Sequence, residues 1–119
     1  MQGPLEDGRD LSKGLKYNNF GIHGACSANA ADALAAVQSL VYEKGHIHPL
    51  EFLAGLEADF SDGQDLLAAL QAGPKVGKNS QQADDLLVCL FDALAQACES
   101  YPDNGRGGLI RPGSGSAMY

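Results

Sequence analysis

The sequence has few basic residues, no long apolar run and no tryptophan. Its 8 Lys and Arg residues stand against 15 Asp and Glu residues, which gives a formal net charge of −7. A negative surface repels phosphate groups, so this composition disfavours nucleic acid and anionic membranes as partners. No apolar run approaches the length of a membrane span.

The cysteines and the N-terminus bear on the cellular compartment. The three cysteines form no CxxC pair, and Met1–Asp7 has neither a basic region nor an apolar block. We therefore expect no signal peptide and reduced thiols in the cytoplasm. At 119 residues the chain is at most one domain.

A glycine-containing loop followed by an alanine-rich helix is the most distinctive stretch. The loop is Tyr17–Cys26, and the predicted helix runs from Ser27 to Lys44 with Gly45 after its end. Ser27 is the predicted N-cap, and Asn29 with Asp32 offers an alternative start. Helical spacing gives this helix a main buried stripe of Ala30, Ala33, Leu34, Val37, Leu40 and Val41.

The remaining sides of this helix carry only small residues, namely Ala28, Ala31, Ala35 and Ala36. A surface helix usually has charged or long polar residues at such positions. We therefore expect elements outside this chain to cover the alanines. In the isolated chain they would form an exposed patch, and Ala35→Glu would do no harm there.

Two short helices are predicted in the middle of the chain. Pro49 suits the first position of one that continues to Leu56. Ser61 and Gln64 resemble a capping box for the next, which ends at Gly73-Pro74.

A fourth helix is predicted from about Gln81 to Glu99, capped by Asn79 with Gln82 and stopped by Pro102. Its buried stripe is Ala83, Leu86, Leu87, Leu90, Leu94 and Ala97. Val88 and Cys89 fall off that stripe and indicate a second contact surface.

The ends of the chain are predicted to be extended or irregular. Residues 1–16 are expected to form a loop, mobile when the chain is alone. Tyr17–Ile22 is a short strand or an extended lead-in, and Gly108–Tyr119 reads as a strand with glycines. The predicted fold class is mostly α with short terminal strands.

The order of these motifs resembles the glycyl radical enzyme family that includes pyruvate formate-lyase. The run NNFGIHGACSANAADALAAV is similar to the family's Gly-rich turn and "xxADSLxAI" helix. Pro74–Asn79 resembles its "P-x-[FY]-G-N" turn, and the next helix its "VDDLAVxL" helix. Arg106–Tyr119 is similar to the strand segment that follows. The resemblance covers 17–119, interpreted as a partial domain of a ten-stranded α/β barrel.

Two family motifs have no counterpart in this sequence. One is the Gly-Cys-Val-Glu-like loop of the catalytic cysteine, and the other is the Arg-Val-x-Gly-Tyr-like loop of the radical glycine. The resemblance thus implies an internal segment lying between the two radical sites and inactive alone. We assign no catalytic, cofactor-binding or metal-binding residue to it. The alternative function is a non-catalytic helical interaction module.

The resemblance also implies the chemistry of the parent enzyme. A glycyl radical, installed by an iron–sulfur S-adenosylmethionine activating enzyme, generates a thiyl radical that cleaves C–C, C–N, C–O or C–S bonds. The parent would be an anaerobic lyase, acyltransferase or dehydratase. Its expected partners are the rest of the parent chain, the activating enzyme and a second copy in a homodimer.

Several reactive residue types still need interpretation. Cys26 precedes a helix N-terminus, where the dipole lowers a thiol pKa, but we interpret it as a small buried residue in a turn. His23 with Cys26, and His46 with His48, lack the paired spacings of a zinc site and are interpreted as loop histidines.

The glycines and charges near the C-terminus have similar alternatives. Gly113–Ser116, with Arg106 and Arg111, could bind an anion through backbone N–H groups, but structural strand glycines are the preferred interpretation. The neighbouring carboxylates do not converge in a helix and are interpreted as solvated faces or caps. They are Asp84, Asp85, Glu57, Asp59 and Asp62.

Overall fold

The computed structural model describes residues 3–101 and 103–115. These divide into two compact units. We call residues 26–90 the helical unit, and residues 3–25, 91–101 and 103–115 the strand unit. The longest helix runs through the boundary between them.

The helical unit begins with α3 (Ser27–Val37), which continues as a π-helical segment, Gln38–Glu43. The helices α4 (Pro49–Glu57) and α5 (Gln64–Gln71) follow. The unit ends with the first part of α6 (Gln81–Glu99). The predicted bounds of α6 and the start of α4 at Pro49 are confirmed.

The strand unit begins with two one-turn helices, α1 (Pro4–Asp7) and α2 (Leu11–Gly14). The loop predicted for residues 1–16 therefore contains helical turns. A parallel pair of strands follows, β1 (Phe20–Gly24) and β2 (Ile110–Ser114), with Phe20 opposite Ile110 and Gly24 opposite Ser114. The two predicted terminal strands are confirmed, and they pair with each other. The predicted strand end at residues 116–119 and the stop at Pro102 lie outside the described residues.

The predicted caps of the helical unit are wrong at three starts. At α6 the Ser80 Oγ, not the predicted Asn79, accepts from the Ala83 N–H at 3.4 Å. Cys26, with φ 55, is the N-cap of α3, and Ser27 is already helical. Gly63, not Ser61, is the N-cap of α5, and the Gln64 amide donates to the Phe60 carbonyl. The backbone of Asp59 and Phe60 is left-handed (φ 49 and 53), which reshapes the turn and breaks the capping-box geometry.

The buried face of the helix predicted from Ser27 to Lys44 matches the predicted stripe only in part, since Val41 is its one buried member. Ala31 and Ala35 are 0% exposed, whereas Ala30 and Ala33 are exposed and Leu34 is 45% exposed. Close approach explains the difference, because a Cβ on Gly73 would lie 2.9 Å from the Ala36 Cβ. The small side chains let a neighbouring segment pack directly on this face. The expected exposed patch at Ala31, Ala35 and Ala36 is therefore wrong, although Ala28 is exposed.

The π-helical segment replaces the last turns of the predicted α-helix. The Lys44 N–H donates to the Ser39 carbonyl at 3.0 Å, a five-residue hydrogen bond. Ser39 and Val41 are buried within it, and Gly45 ends it with φ 61, as predicted for a glycine after the helix.

The stripe of α6 is confirmed in part. Ala83 is 0% exposed and the four leucines are half-buried, but Ala97 is exposed and Cys98 is buried instead. Val88 (58% exposed) and Cys89 lie on the open side of the helix.

Candidate functional site

An apolar groove of about 340 Å³ lies in the helical unit. Its walls come from α3, α4 and α5, and include Ala33, Val37, Phe52, Leu56, Leu67 and Leu70. Ala33 and Val37 belong to the stripe that the sequence predicted to be buried. Ala33 and Val37 therefore face an open groove, while Ala31 and Ala35 form the enclosed face of α3.

The rim of the groove is polar, with Asn29, Asp32, Gln71 and Lys75. Asp32 has a structural partner, because its Oδ1 accepts a hydrogen bond from the Val76 N–H at 2.7 Å. This bond ties α3 to the Pro74–Asn79 turn. The sequence reasoning missed this role of Asp32, and the only available signal was a single carboxylate within an alanine-rich helix.

In the strand unit, asparagine side chains hydrogen-bond the backbone of the two segments that precede β1 and β2. The Asn104 Nδ2 donates to the Asn18 carbonyl at 2.6 Å, and its Oδ1 accepts from the N–H groups of Arg106 and Gly108. The Asn19 Oδ1 accepts from the Leu109 N–H at 3.1 Å. A Cβ on Gly108 would overlap the Asn18 carbonyl. We call Asn18, Asn19 and Asn104 the asparagine clamp, and it also was not predicted.

The histidines have local hydrogen-bonding partners. His48 is the N-cap of α4, where its Nδ1 accepts from the Leu50 N–H at 3.2 Å. The His23 Nδ1 lies 3.3 Å from the Ser114 carbonyl of the paired strand. Within residues 3–101 and 103–115, no three His, Cys, Asp or Glu side chains are grouped so as to hold a metal ion.

Cys26 is exposed, so its interpretation as a buried residue is wrong. It stands directly before α3, and the structure brings no histidine or carboxylate to it by a hydrogen bond among the described residues. Among the described residues, this thiol therefore has no hydrogen-bonded base of the kind that activates a nucleophile.

The glycine- and arginine-containing segment forms a strand. Gly113 and Ser114 pair with His23 and Gly24 in the parallel ladder, as the strand interpretation predicts. The Arg106 guanidinium lies 5.0 Å from the centroid of the Phe20 ring, a cation–π distance. Ser116 lies outside the described residues.

The neighbouring carboxylates singled out in the sequence are solvent-exposed, and Asp84 and Asp85 have different surroundings. The Asp85 Oδ1 accepts from the Gln81 amide one turn earlier at 2.6 Å, whereas Asp84 is exposed in the first turn of α6. Glu57, Asp59 and Asp62 are all exposed. In the described part of the chain, no helix is long and apolar enough to cross a membrane.

Known proteins share this local fold. A profile of the pyruvate formate lyase-like family matches residues 1–117. Two solved structures superpose on the chain. The glycerol-bound form of the B12-independent glycerol dehydratase from Clostridium butyricum has a TM-score of 0.74 at 29% identity, over 94% of this chain and 14% of that one. Hydroxyproline dehydratase from Clostridioides difficile, with trans-4-hydroxy-L-proline bound, has a TM-score of 0.79 at 26% identity, over 93% and 14%.

Two curated relatives agree with this placement. The (2S)-3-sulfopropanediol dehydratase of Klebsiella oxytoca is 32% identical over 110 residues, which is 89% of this chain and 13% of the relative. The isethionate sulfite-lyase of Desulfovibrio desulfuricans is 38% identical over 74 residues, which is 62% of this chain and 9% of the relative. The helices and the parallel strand pair thus have the local fold found in glycyl radical enzymes. The chain belongs to the pyruvate formate lyase-like family.

These matches confirm one earlier expectation. The resemblance to the glycyl radical enzymes is confirmed, and the family match also includes residues 1–16. The chain spans 13% or less of the curated relatives' length.

Proposed function

We propose that the chain is a segment of a pyruvate formate-lyase-like glycyl radical enzyme and has no lyase activity by itself. One observation carries the proposal: nearly the whole chain (89–94%) matches relatives of which it spans only 13–14%. The sequence also lacks the Gly-Cys-Val-Glu-like and Arg-Val-x-Gly-Tyr-like motifs that would carry the two radicals.

The strand pair supports the idea that the segment is part of a larger barrel. Among the described residues, β1 and β2 form a two-stranded parallel sheet, and Phe20 and Ile22 are 43% and 44% exposed. Parallel strands are normally buried on both faces, and two strands alone are marginally stable. We infer that further strands and helices of the parent complete this sheet into the ten-stranded barrel.

The parent's reaction is inferred from its relatives. Three of the similar proteins are dehydratases and one is a sulfite-lyase. We therefore favour elimination with C–O or C–S cleavage over acyl transfer or C–C and C–N cleavage. The parent would carry a glycyl radical installed by an iron–sulfur S-adenosylmethionine activating enzyme. We place it in the cytoplasm, under anaerobic conditions and as a homodimer.

Electron paramagnetic resonance tests the proposal directly. The 119-residue chain and its full-length parent are incubated anaerobically with the activating enzyme and S-adenosylmethionine. We expect a glycyl doublet from the parent and none from the chain. A doublet arising from the chain itself would refute the segment interpretation.

Cys26 provides a second test in the same parent. Because no described histidine or carboxylate is hydrogen-bonded to this exposed thiol, Cys26→Ser should retain most of the activity. A loss of several orders of magnitude in a variant with an unchanged circular dichroism spectrum would make Cys26 the catalytic thiol.

The alternative, a non-catalytic helical interaction module, is favoured by the open groove and by the exposed leucines of α4. The intact mass of the native gene product separates the two functions. A product far heavier than 12.4 kDa supports the enzyme, and a product of about that mass supports the module.

A further inference from the structure

The turn before β2 contains the one asparagine of this sequence that is followed by glycine, Asn104-Gly105. Because glycine has no Cβ beside its N–H, a neighbouring side chain can come close to the glycine nitrogen. A Cβ on Gly105 would meet no atom within 4 Å, and both Asp103 and Gly105 are exposed. Water therefore reaches this turn.

The Gly105 nitrogen has a base beside it. Its N–H donates to the Asp103 Oδ1 at 2.8 Å, a distance at which a carboxylate can take up a proton. The same nitrogen directly follows Asn104 in the chain, so its attack on the Asn104 Cγ closes a succinimide ring within one molecule. Such an intramolecular attack avoids the entropic cost of bringing two reactants together.

The Asn104 carbonyl is also prepared for attack. Its Oδ1 accepts hydrogen bonds from the Arg106 N–H at 2.9 Å and the Gly108 N–H at 3.2 Å. Negative charge develops on this oxygen when a nitrogen adds to Cγ. Two backbone donors that already point at the oxygen stabilise that charge in the manner of an oxyanion hole.

One hydrogen bond of Asn104 opposes the reaction. The Nδ2 donates to the Asn18 carbonyl, and this bond is lost when the nitrogen leaves. Loss of a single neutral hydrogen bond slows a reaction by about tenfold at most. A positioned general base alone contributes about 100-fold or more, so the favourable contacts of Asp103, Arg106 and Gly108 outweigh the opposing one.

We propose that Asn104 is a self-modifying residue that deamidates in the folded chain, with Asp103 as the general base. The Gly105 nitrogen bonds to the Asn104 Cγ, and its proton passes to Asp103. The bond from Cγ to Nδ2 then breaks, and the amide leaves with that proton as ammonia. Water opens the succinimide at either carbonyl and yields aspartate or isoaspartate. The reaction needs only residues of this chain and does not depend on the proposed function.

The product weakens the asparagine clamp. A carboxylate at residue 104 has no N–H to donate to the Asn18 carbonyl, and isoaspartate also adds a methylene group to the main chain. We therefore expect the modified chain to exchange faster at the Phe20 N–H, which donates to the Leu109 carbonyl.

Peptide mapping by mass spectrometry tests the reaction in the 119-residue chain. The folded chain and a synthetic peptide of residues 99–110 are incubated in the same neutral buffer. Tandem spectra locate the product and separate aspartate from isoaspartate. We expect deamidation of residue 104 to be at least about tenfold faster in the folded chain than in the peptide. Any smaller ratio, including a slower reaction in the folded chain, would overturn the proposal.

Two variants test the role of the base. Asp103→Asn keeps an acceptor for the Gly105 N–H but removes the carboxylate, so deamidation of residue 104 should slow at least about tenfold. Asp62→Asn, at an exposed position, introduces a second Asn-Gly pair as a control. There the Gly63 N–H donates to the Phe60 carbonyl at 3.1 Å, a group that cannot take up the proton. Equal rates at residues 62 and 104, or an unchanged rate in Asp103→Asn, would overturn the proposal.

Hydrogen exchange tests the consequence for the strand unit. After incubation, exchange at the Phe20 N–H should rise with the modified fraction in the unsubstituted chain and stay nearly constant in Asp103→Asn. Circular dichroism before incubation checks that both chains start equally folded. Exchange that does not follow the modified fraction would show that deamidation leaves the clamp intact.

Discussion

Each of the two units of this chain is stabilised internally, and the interactions that do so differ between them. The helical unit contains nearly all of the buried side chains of the described residues, and most of these are small: Ala31, Ala35, Ala36, Ser39, Val41, Ile47 and Ala83. In the strand unit only Pro4 and Cys98 are buried among the described residues. There, a parallel strand pair and the asparagine clamp supply backbone hydrogen bonds. Close packing tolerates few changes of size, whereas hydrogen-bond networks tolerate few changes of chemistry.

The largest expected effect is that of Ala35→Glu in the helical unit. Ala35 is 0% exposed, so the variant places a carboxylate without a partner in the packed face of α3. We expect a loss of at least about 3 kcal/mol in the free energy of unfolding, measured by urea denaturation of the 119-residue chain. Ala30→Glu, at an exposed position of the same helix, is the control and should change little. Equal stability of the two variants would mean that the alanine face is open.

Gly73→Ala tests the close approach with a single methyl group. The added Cβ would lie 2.9 Å from the Ala36 Cβ and 3.1 Å from the Leu70 carbonyl oxygen. We expect a loss of about 1–3 kcal/mol in the free energy of unfolding. At Gly63 the nearest atom is 3.7 Å away, so Gly63→Ala should cost less than the Gly73 substitution. If Gly63→Ala lowers the free energy of unfolding more than Gly73→Ala does, close packing against Ala36 is not what restricts side-chain size at residue 73.

Asn104→Ala tests how much the asparagine clamp stabilises the strand unit. It removes three hydrogen bonds of the asparagine clamp, and we expect a loss of about 1–3 kcal/mol. Faster hydrogen exchange should be confined to the strand unit, including the Phe20 N–H that donates to the Leu109 carbonyl. Asn104→Asp keeps the two acceptor bonds and loses only the donor to Asn18, so its effect should be smaller. Faster exchange throughout α3 would show that the clamp supports the helical unit as well.

The smallest expected effect concerns the pKa of Asp10 at the N-cap of α2. Hydrogen bonds from the Ser12 hydroxyl and the Ser12 N–H lower this pKa from its ordinary value of 3.8. A lowered folded-state pKa means that the stabilisation is present above the unfolded value and is lost as the pH falls through the folded value. Carboxyl NMR titration should therefore show a pKa below 3.8. The pKa of Asp10 should rise in Ser12→Ala. An unchanged pKa would mean that the Ser12 hydroxyl does not cause the lowering.

The helix positions were predictable from local signals. Pro49 can open a helix, Gly45 can adopt the positive φ that ends one, and the leucine spacing from Leu86 to Leu94 gives α6 its period. The caps were less predictable, because Cys26 and Gly63 act through backbone geometry that no side-chain pattern encodes. The asparagine clamp was also unpredictable, since its bond from Asn104 to Asn18 joins residues 86 positions apart.

The sequence by itself determined the family, the places of the main helices and the negative charge of the chain. Those properties depend on residue types and short spacings, which can be read without knowing what lies beside them. Only the tertiary structure decided which face of α3 is enclosed. Periodicity identifies the larger side chains of that helix, but it does not show which of the small residues a neighbouring segment will approach, and in the fold Gly73 packs on Ala36. The same choice leaves Ala33 and Val37 in the wall of an open groove.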